Sequence, residues 1–258
     1  MSYKKSMKIH EIKGYIQSIY LVEYPDKFLL LDGCTRRDVK VVYNFITKKL
    51  QRSINDLKLV VVTHQHPDHA GGANAFKKQF GCKIATTKKA NDWYRGPSGL
   101  IKFIIDLILT FYVAKKMGKK YENIFYSRFV KYDYELKDND VLPLFSDWTV
   151  LFRPGHTDCD LTLFHKESGS AYIADNIIKI RSKYIIPYPV NFPDIYIQSL
   201  NSYKADAFKK FYLAHGGSTQ ISPADIDEII SKVSHRPVNH NQLFKRLFRN
   251  AKKHNYFK

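Results

Sequence analysis

The chain has 258 residues, 44% of them hydrophobic, which is the ordinary composition of one globular domain with a sizeable core. Its three cysteines are widely spaced and form no Cys-x-x-Cys pair, which argues against a disulfide framework and against a thiolate zinc site. The net charge of +18 invites a nucleic-acid or anionic-membrane partner, but scattered lysines account for much of it, so charge alone identifies no partner.

The N-terminal part of the chain is predicted to form a hairpin followed by a helix. Its first residues lack the apolar segment and cleavage site of a secretion signal, and we expect a cytoplasmic protein. Residues 14–23 and 27–32 are two apolar segments joined by Pro25-Asp26, a pattern typical of an antiparallel hairpin. Residues 36–51 place apolar side chains at helical spacing and predict a helix.

A strand followed by a polar segment carries the first candidate functional residues. Residues 57–62 are aliphatic and mostly β-branched, as in a buried strand, and the polar segment Thr63-His64-Gln65-His66-Pro67-Asp68-His69 follows them. Pro67 keeps the segment from continuing as sheet, so its side chains lie on a loop. Imidazole and carboxylate are ligands that Zn²⁺ takes when one position stays open for water. Four such groups in six residues favour metal binding over a merely solvated loop: His64, His66, Asp68 and His69.

The next segments alternate helix and strand until a helical insertion, residues 95–134, interrupts the pattern. Helices are predicted at 73–80 and 88–94, with a strand at 82–87 between them. Inside the insertion, residues 100–114 are apolar on almost every side, so this helix should be covered on most sides.

The role of the 100–114 helix is left with ranked alternatives. It is shorter than the roughly 20 residues of a membrane span, and Lys102 and Asp106 interrupt it, which argues against spanning. We expect a lid or a substrate wall. A homodimer contact ranks second and contact with a membrane surface third, and a helix simply buried in an enlarged core is the remaining alternative.

The second half of the chain supplies three further candidate ligands at the ends of predicted strands. These are His156 after the strand at 148–152, Asp175 after the strand at 170–174, and His215 after the strand at 211–214. Further strands are predicted at 141–144 and 161–165, and helices at 197–209 and 224–233, the last with Ser222 as its N-cap. The Tyr- and Pro-rich segment 180–193 is predicted to be an ordered loop that walls a pocket.

The C-terminal residues 236–258 are predicted to form a basic amphipathic tail. From residue 231 to the end there are eight Lys or Arg and no acidic residue, while Phe244, Leu247 and Phe248 fall on one helical stripe. We expect the tail to dock on its own domain. Anionic lipid and nucleic acid are the alternative partners.

The order His-x-His-x-Asp-His, Gly-His-Thr, strand-terminal Asp and strand-terminal His resembles the metallo-β-lactamase superfamily over nearly the whole chain. The resemblance implies a four-layer αββα sandwich of α+β or α/β class, as a single domain over residues 1–258. It also implies two zinc ions, with iron or manganese as alternatives at one or both sites. The ligands would divide into a first set, a second set and a bridge: His64, His66 and His156; Asp68, His69 and His215; and Asp175.

The resemblance also indicates a reaction. Class B lactamases generally lack the bridging aspartate, so Asp175 favours the thioesterase (glyoxalase II-like), lactonase and phosphodiesterase branches. We expect a di-zinc hydrolase in which a hydroxide bridging the metal ions cleaves an ester, thioester or lactone bond of a small, partly hydrophobic substrate. Asp68 is the expected catalytic group, because a ligand with a free oxygen can orient the hydroxide or transfer a proton.

Two alternatives of function stay open, and two departures from the family pattern bear on the choice. The alternatives are a nucleic-acid phosphodiesterase of the same superfamily, supported by the positive charge, and an iron-dependent or non-hydrolytic protein. Asp158-Cys159-Asp160 stands where related thioesterases and lactonases often have Gly-His or Gly-Ser, and Ile178 replaces a tyrosine of the acyl-homoserine lactonases. The second departure lowers the lactonase assignment. Cys159 lies close to His156 and either lines the site or is a small buried hydrophobe.

Overall fold

The structure is a computed structural model that describes residues 7–237. The predicted basic tail lies outside the described residues apart from its first two positions, and its docking remains a prediction.

The first of two six-stranded sheets is mixed. Its strands, in spatial order, are β1 (Lys8–Lys13), β2 (Ser18–Glu23), β3 (Phe28–Leu30), β4 (Leu57–Val61), β5 (Lys83–Thr86) and β6 (Tyr134–Glu135). The first three pair antiparallel and the rest parallel. β2 and β3 confirm the predicted hairpin, whereas β1 is not predicted from the sequence. β3 is buried along its whole length, which explains its unbroken apolar run.

The second sheet carries the later strands. Its spatial order is β14 (Gly217–Thr219), β13 (Lys210–Leu213), β10 (Ser170–Tyr172), β9 (Leu161–His165), β8 (Phe145–Phe152) and β7 (Val141–Leu142). Only the β10–β13 pair is parallel. The short strand β14 is not predicted from the sequence.

A separate two-stranded hairpin corrects the prediction of an irregular loop at 180–193. It consists of β11 (Ile178–Ile180) and β12 (Lys183–Ile185). Its turn residue Arg181 has a φ of 58°, in the left-handed region that a two-residue hairpin turn uses. The prolines that suggested an irregular loop begin only at Pro187, after the hairpin has ended.

The described residues form six α-helices in addition to the sheets. They are α1 (Val39–Asn44), α2 (Pro67–Ala70), α3 (Ala73–Phe80), α4 (Gly96–Lys116), α5 (Pro193–Ala205) and α6 (Pro223–Ser231). The helix predicted at 36–51 is present as α1 with a 3₁₀ turn before it and a π-helical turn after it. Ser222 caps α6 in a reciprocal capping box with Asp225, as the sequence predicts for Ser222.

Three apolar clusters define four layers. Between the two sheets lie residues such as Leu29, Leu59, Trp148 and Leu163. A second cluster joins the first sheet to α1 and α3, and a third joins the second sheet to α5 and α6. This arrangement is the predicted αββα sandwich of α+β class.

Helix α4 differs from its prediction in length and in exposure. It has 21 residues, and its length and apolar composition would suffice to cross a membrane, so the length argument against spanning fails. The cations Lys115 and Lys116 in its last turn favour this longer helix. Contrary to the expectation of nearly complete cover, one face is buried and the other is exposed. The buried face contacts α2, which carries candidate ligands.

Candidate metal centre

The topology gathers the ends of three ligand-bearing strands of the second sheet. β8 and β10 are each antiparallel to β9, so they run in the same direction, and β13 is parallel to β10. Their C-terminal ends therefore lie at one edge of the sheet. His156, Asp175 and His215 follow these three strands.

The first-sheet ligands lie on a tight turn that glycines make feasible. Pro67 occupies the first helical position of α2, and the helix turn carries Asp68 and His69. A β-carbon on Gly71 would lie 2.3 Å from the carbonyl oxygen of Pro67, and one on Gly72 would lie 2.5 Å from that of Gly33. Both positions exclude larger residues because the backbone passes too close.

Three histidine nitrogens converge in a first cluster. Nδ1 of His66 lies 3.1 Å from Nε2 of His64 and 3.0 Å from Nε2 of His156. Nδ1 of His156 lies 2.6 Å from the carbonyl oxygen of Pro189, which can only accept. His156 therefore carries its proton on Nδ1 and directs the lone pair of Nε2 into the cluster.

A second cluster lies beside the first. Nε2 of His215 is 3.1 Å from Oδ2 of Asp68 and 3.4 Å from Oδ1 of Asp175, and Nε2 of His69 is 3.1 Å from the same Oδ1. Nδ1 of His215 donates to the carbonyl oxygen of Ile16 at 3.1 Å. In the neutral imidazole, Nε2 of His215 therefore presents a lone pair to two carboxylates.

The two clusters fit a pair of metal ions that share Asp175. Within each cluster, one donor atom from every residue lies within 4.8 Å of the others. Oδ2 of Asp175 faces the first cluster, at 3.7 Å from His156, and Oδ1 faces the second. The buried Oδ1 of Asp175 and Nε2 of His69 lie 3.1 Å apart, but their geometry does not make a hydrogen bond, and neither atom has another hydrogen-bond partner among the described residues. A cation would satisfy both atoms. Each cluster combines histidine nitrogens with aspartate oxygens, and such donor sets suit zinc, iron and manganese.

All seven residues singled out from the sequence thus come together, and none is left outside. The first cluster contains His64, His66, His156 and Asp175, and the second contains Asp68, His69, Asp175 and His215.

The two clusters differ in electrostatics. Burial lowers the pKa of His66 to about 4 against the opposing charge of Asp106, and burial together with His69 and His66 holds the pKa of His64 well below its usual value. Burial also disfavours charge on His69, but the carboxylates of Asp175, Asp68 and Asp32 outweigh it and raise its pKa well above the usual value. Without a metal ion, His64 and His66 are therefore neutral at about pH 7, whereas His69 holds a proton that a metal ion would replace.

Asp32 is a functional residue that sequence reasoning missed. Its Oδ2 lies 2.7 Å from Nδ1 of His69 and accepts hydrogen bonds from the hydroxyls of Thr63 and Tyr172 at 2.6 and 2.9 Å. This contact orients the ring of His69 so that Nε2 faces the second cluster. Asp32 follows β3, and the rule that ligands follow strand ends could have identified it.

Asp160, in the Asp158-Cys159-Asp160 segment that departs from the family pattern, stabilises the loop around His156. Its carboxylate accepts from the backbone N–H groups of Gly155 and Thr157 at 3.1 and 2.7 Å and from the hydroxyl of Thr157 at 2.6 Å. These bonds hold the loop that carries His156. Cys159 is buried under this loop, and burial raises the pKa of its thiol, so it is the small buried hydrophobe and does not line the site.

Asp106 on α4 is a second functional residue that the sequence did not identify. Its Oδ2 accepts a hydrogen bond from the hydroxyl of Tyr94 at 2.7 Å and lies 3.7 Å from Nε2 of His66. The residue is buried. A single acid in an apolar helix is a signal for such a role, although the sequence analysis treats it only as an interruption.

A cavity of about 1120 Å³ opens above the two clusters. Asp68, His156, Asp175 and His215 lie at its base. One wall comes from α4, and the other comes from the β11–β12 hairpin and the segment that follows it. Ile178, which replaces the lactonase tyrosine, is part of this second wall.

Sequence comparison places the chain in a known family. Residues 12–215 match the model of the metallo-β-lactamase superfamily, and this range includes all seven candidate ligands. The chain belongs to the metallo-β-lactamase superfamily. A comparison with curated proteins found no match.

Solved structures show the same fold at low identity. A metallo-β-lactamase family protein from Thermus thermophilus has a TM-score of 0.65 at 18% identity, over 87% of this chain and 78% of its own. BJP-1, a subclass B3 metallo-β-lactamase of Bradyrhizobium japonicum, has a TM-score of 0.58 at 16% identity, over 97% and 95%. TTHA1623, in a di-iron-bound form, has a TM-score of 0.54 at 16% identity, over 83% and 94%. These similarities confirm the predicted fold.

Proposed function

We propose that this protein is a hydrolase that uses two zinc ions to cleave an ester, thioester or lactone bond of a small, partly hydrophobic substrate. The observation that carries the proposal is the pair of ligand clusters joined by Asp175 at the base of a cavity. Two metal ions held by such a pair of clusters would activate water at neutral pH and polarise the bond that is attacked.

The cysteines of the chain are unsuited to act as the nucleophile, which favours water over a thiolate. Cys34, Cys82 and Cys159 are buried, and burial raises the pKa of each thiol. Among the described residues, no cysteine lines the cavity. Nucleophilic thiolates need the opposite environment, exposed and with a lowered pKa.

Asp68 is the proposed proton-transfer group. It lines the cavity and holds His215 through Oδ2. Burial alone would raise its pKa, but His69 and His215 lower it below the usual value, so the carboxylate stays ionised near neutral pH. An ionised aspartate can orient the attacking water, accept its proton and then pass that proton to the leaving group.

The cavity walls favour a substrate with an apolar body and an anionic group. Leu109, Val113 and Ile185 supply apolar surface, and Lys116 and Arg181 lie near the mouth. Apolar walls with a few polar groups are typical of small-molecule sites. They favour the ester or thioester over nucleic acid, which remains the second candidate because of the net charge of +18.

The test is hydrolysis of a panel of thioesters, lactones, β-lactams and phosphodiesters by zinc-loaded protein. We expect turnover of an ester or thioester that falls by roughly a hundredfold or more in Asp68→Ala, the size of effect typical of a lost acid–base group. Asp227→Ala is the matched control, because this exposed acid pairs with Lys204 far from the cavity. Turnover restricted to phosphodiesters, or unchanged turnover in Asp68→Ala, would refute the proposal.

Metal analysis decides between the zinc enzyme and an iron protein. The di-iron-bound form of TTHA1623 shows that this fold accepts iron in that protein. We expect purified protein to hold close to two zinc ions, and His66→Ala to lose metal and activity together, since His66 contacts both other histidines of the first cluster. Iron at one or both sites would instead support oxygen or sulfur chemistry.

A further inference from the structure

One face of α4 exposes a row of large apolar side chains. Leu100, Ile104, Ile108 and Tyr112 recur every four residues, and each is between 37% and 47% exposed. Side chains at this spacing lie on one side of a helix. We call these four residues the α4 stripe. The described residues leave this apolar row partly exposed, which marks a contact surface. Of the four residues, Tyr112 also lines the cavity.

The apolar surface continues into the segment after α4. The ring of Phe111 stacks on Tyr121 at 5.0 Å between centroids and lies 6.2 Å from Phe125. Tyr121 is 72% exposed and Phe125 is 51% exposed. The patch therefore extends beyond the helix.

The opposite side of the cavity mouth has the same character. Ile180, Ile185 and Tyr188 are exposed and line the cavity from the β11–β12 side. On the α4 side, Tyr112 and Met117 are exposed and also line it. Two unrelated elements thus present exposed apolar groups on both sides of one opening.

Basic residues accompany both apolar surfaces. Lys115, Lys116 and Lys120 are exposed at the C-terminal end of α4, and Arg181 and Lys183 are exposed at the tip of the hairpin. Among residues 96–120 the one acid is Asp106, which is buried. The rim of the cavity is therefore apolar with an excess of positive charge, because Lys13, Lys116 and Arg181 line it together with one exposed acid, Glu11.

We propose that this rim docks on the surface of an anionic lipid bilayer and that the substrate, an ester or thioester with a long apolar chain, enters the cavity from the lipid. Apolar side chains flanked by lysine match the acyl and anionic headgroup layers of such a surface. The part of the proposal that concerns the substrate rests on the proposed hydrolase function; the docking does not.

The structure favours a lipid surface over a second copy of the chain and over a spanning helix. A two-fold, antiparallel contact through α4 would place Lys115 and Lys116 near Arg95 and the positively polarised N-terminus of the other copy's helix, at a cost in repulsion. Spanning is disfavoured because the opposite face of α4 buries Asp106 and Thr110 against the site. Docking uses only the exposed face and leaves this packing intact.

The experiment is flotation of zinc-loaded full-length protein with vesicles at physiological salt. One vesicle preparation contains phosphatidylcholine mixed with phosphatidylglycerol, and the other contains phosphatidylcholine alone. We expect binding to the mixed vesicles, and weaker binding by roughly tenfold or more to the neutral ones. The double variant Met117→Ser, Ile180→Ser changes one exposed lining residue on each side of the opening. It should lose roughly tenfold or more, because two apolar groups that insert into the lipid are removed.

Two controls that should keep binding, and one charge variant that should weaken it, make the result specific to the rim. Val141→Ser changes a residue of 57% exposure on β7, away from the cavity, and should bind like the parent. Lys119→Gln with Lys120→Gln should weaken binding by roughly tenfold through charge alone. A chain ending at residue 237 lacks the basic tail and should still bind.

Several results would overturn the proposal. They are no flotation of the parent, loss of flotation only on truncation, or a dimer in solution that Ile104→Ser, Ile108→Ser dissociates. Metal content and hydrolysis of a water-soluble short-chain thioester are measured in parallel. Flotation without any hydrolysis would refute the proposed hydrolase function and support the membrane docking. Hydrolysis without flotation would support the hydrolase function and refute the membrane docking.

Discussion

Oδ2 of Asp106 lies 3.7 Å from Nε2 of His66, so the helix that forms the cavity wall also reaches a candidate metal ligand. His66 directs its other nitrogen, Nδ1, at His64 and His156. Tyr94 fixes the carboxylate through a hydrogen bond of 2.7 Å. The insertion is therefore joined to the first cluster and is more than a cover for the cavity.

We expect Asp106→Asn to weaken metal binding at the first cluster by about tenfold or more, because the negative charge of this carboxylate beside His66 raises the basicity of the ligand. The second cluster should keep its affinity. Competition with a chromophoric chelator measures both sites. Thr110→Ala, one turn further along α4, is the control for damage to the helix, and its affinities should equal those of the parent. Equal affinities in Asp106→Asn would mean that the contact has no role in metal binding.

The pH dependence of metal binding should differ between the clusters. In the second cluster, burial lowers the pKa of His69, but the carboxylates of Asp175, Asp68 and Asp32 raise it well above its usual value, and a metal ion must displace this proton. Affinity there should fall as the pH falls through and below neutrality. In the first cluster the pKa of His66 is about 4 because of burial, so its affinity should stay nearly constant down to mildly acidic pH.

Metal stoichiometry after dialysis at two pH values measures this difference. We expect two ions per chain near about pH 8 and close to one near about pH 6. Parallel loss of both ions would show that the carboxylates around His69 do not set the order of binding.

The sequence predicts all seven candidate ligands because each follows an apolar run that is readable as a strand, and the family order relates them. It does not predict Asp32 and Asp106, because their roles depend on contacts between residues that are far apart in the chain. His69 and Asp32 are 37 positions apart in the chain, and Tyr172 and Asp32 are 140 positions apart.

The missed strands have a similar cause. β1 alternates apolar and polar residues only weakly, and its pairing partner β2 supplies most of the reason for it to be a strand. The hairpin of β11 and β12 is not predicted because the prolines that follow it make the whole segment resemble an irregular loop. The extra length of α4 comes from Gly96–Gly99, with Pro97 in the first turn, and from Lys115 and Lys116 in the last turn, residues that lie outside the apolar pattern.

Replacing Asp32 should destabilise the protein as well as its second cluster. The buried carboxylate accepts from the hydroxyls of Thr63 and Tyr172 and contacts His69, and an amide would direct N–H groups at some of these donors. We expect Asp32→Asn to lower the free energy of unfolding by on the order of 3 kcal/mol, the cost of breaking a buried charged network. Urea denaturation at a fixed zinc concentration measures it.

The control for Asp32→Asn is Asp227→Asn, which removes an exposed acid paired with Lys204. It should cost less than about 1 kcal/mol. A similar, small cost for both variants would indicate that Asp32 is not central to the network.

The cavity should select for chain length in the substrate. Its walls include Leu109 and Val113 from α4 and Ile178 and Ile185 from the facing side, so each added methylene of an acyl chain would be removed from water between two apolar surfaces. Burial of one methylene contributes about 0.8 kcal/mol, which corresponds to roughly a fourfold gain in kcat/KM per methylene. We expect this gain over a series of acyl thioesters until the chain fills the cavity. In Leu109→Ser the gain per methylene should be smaller, while Val141→Ser, which changes an exposed residue outside the cavity, should keep the slope of the parent. A flat series in the parent protein would show that the walls do not contact the acyl chain.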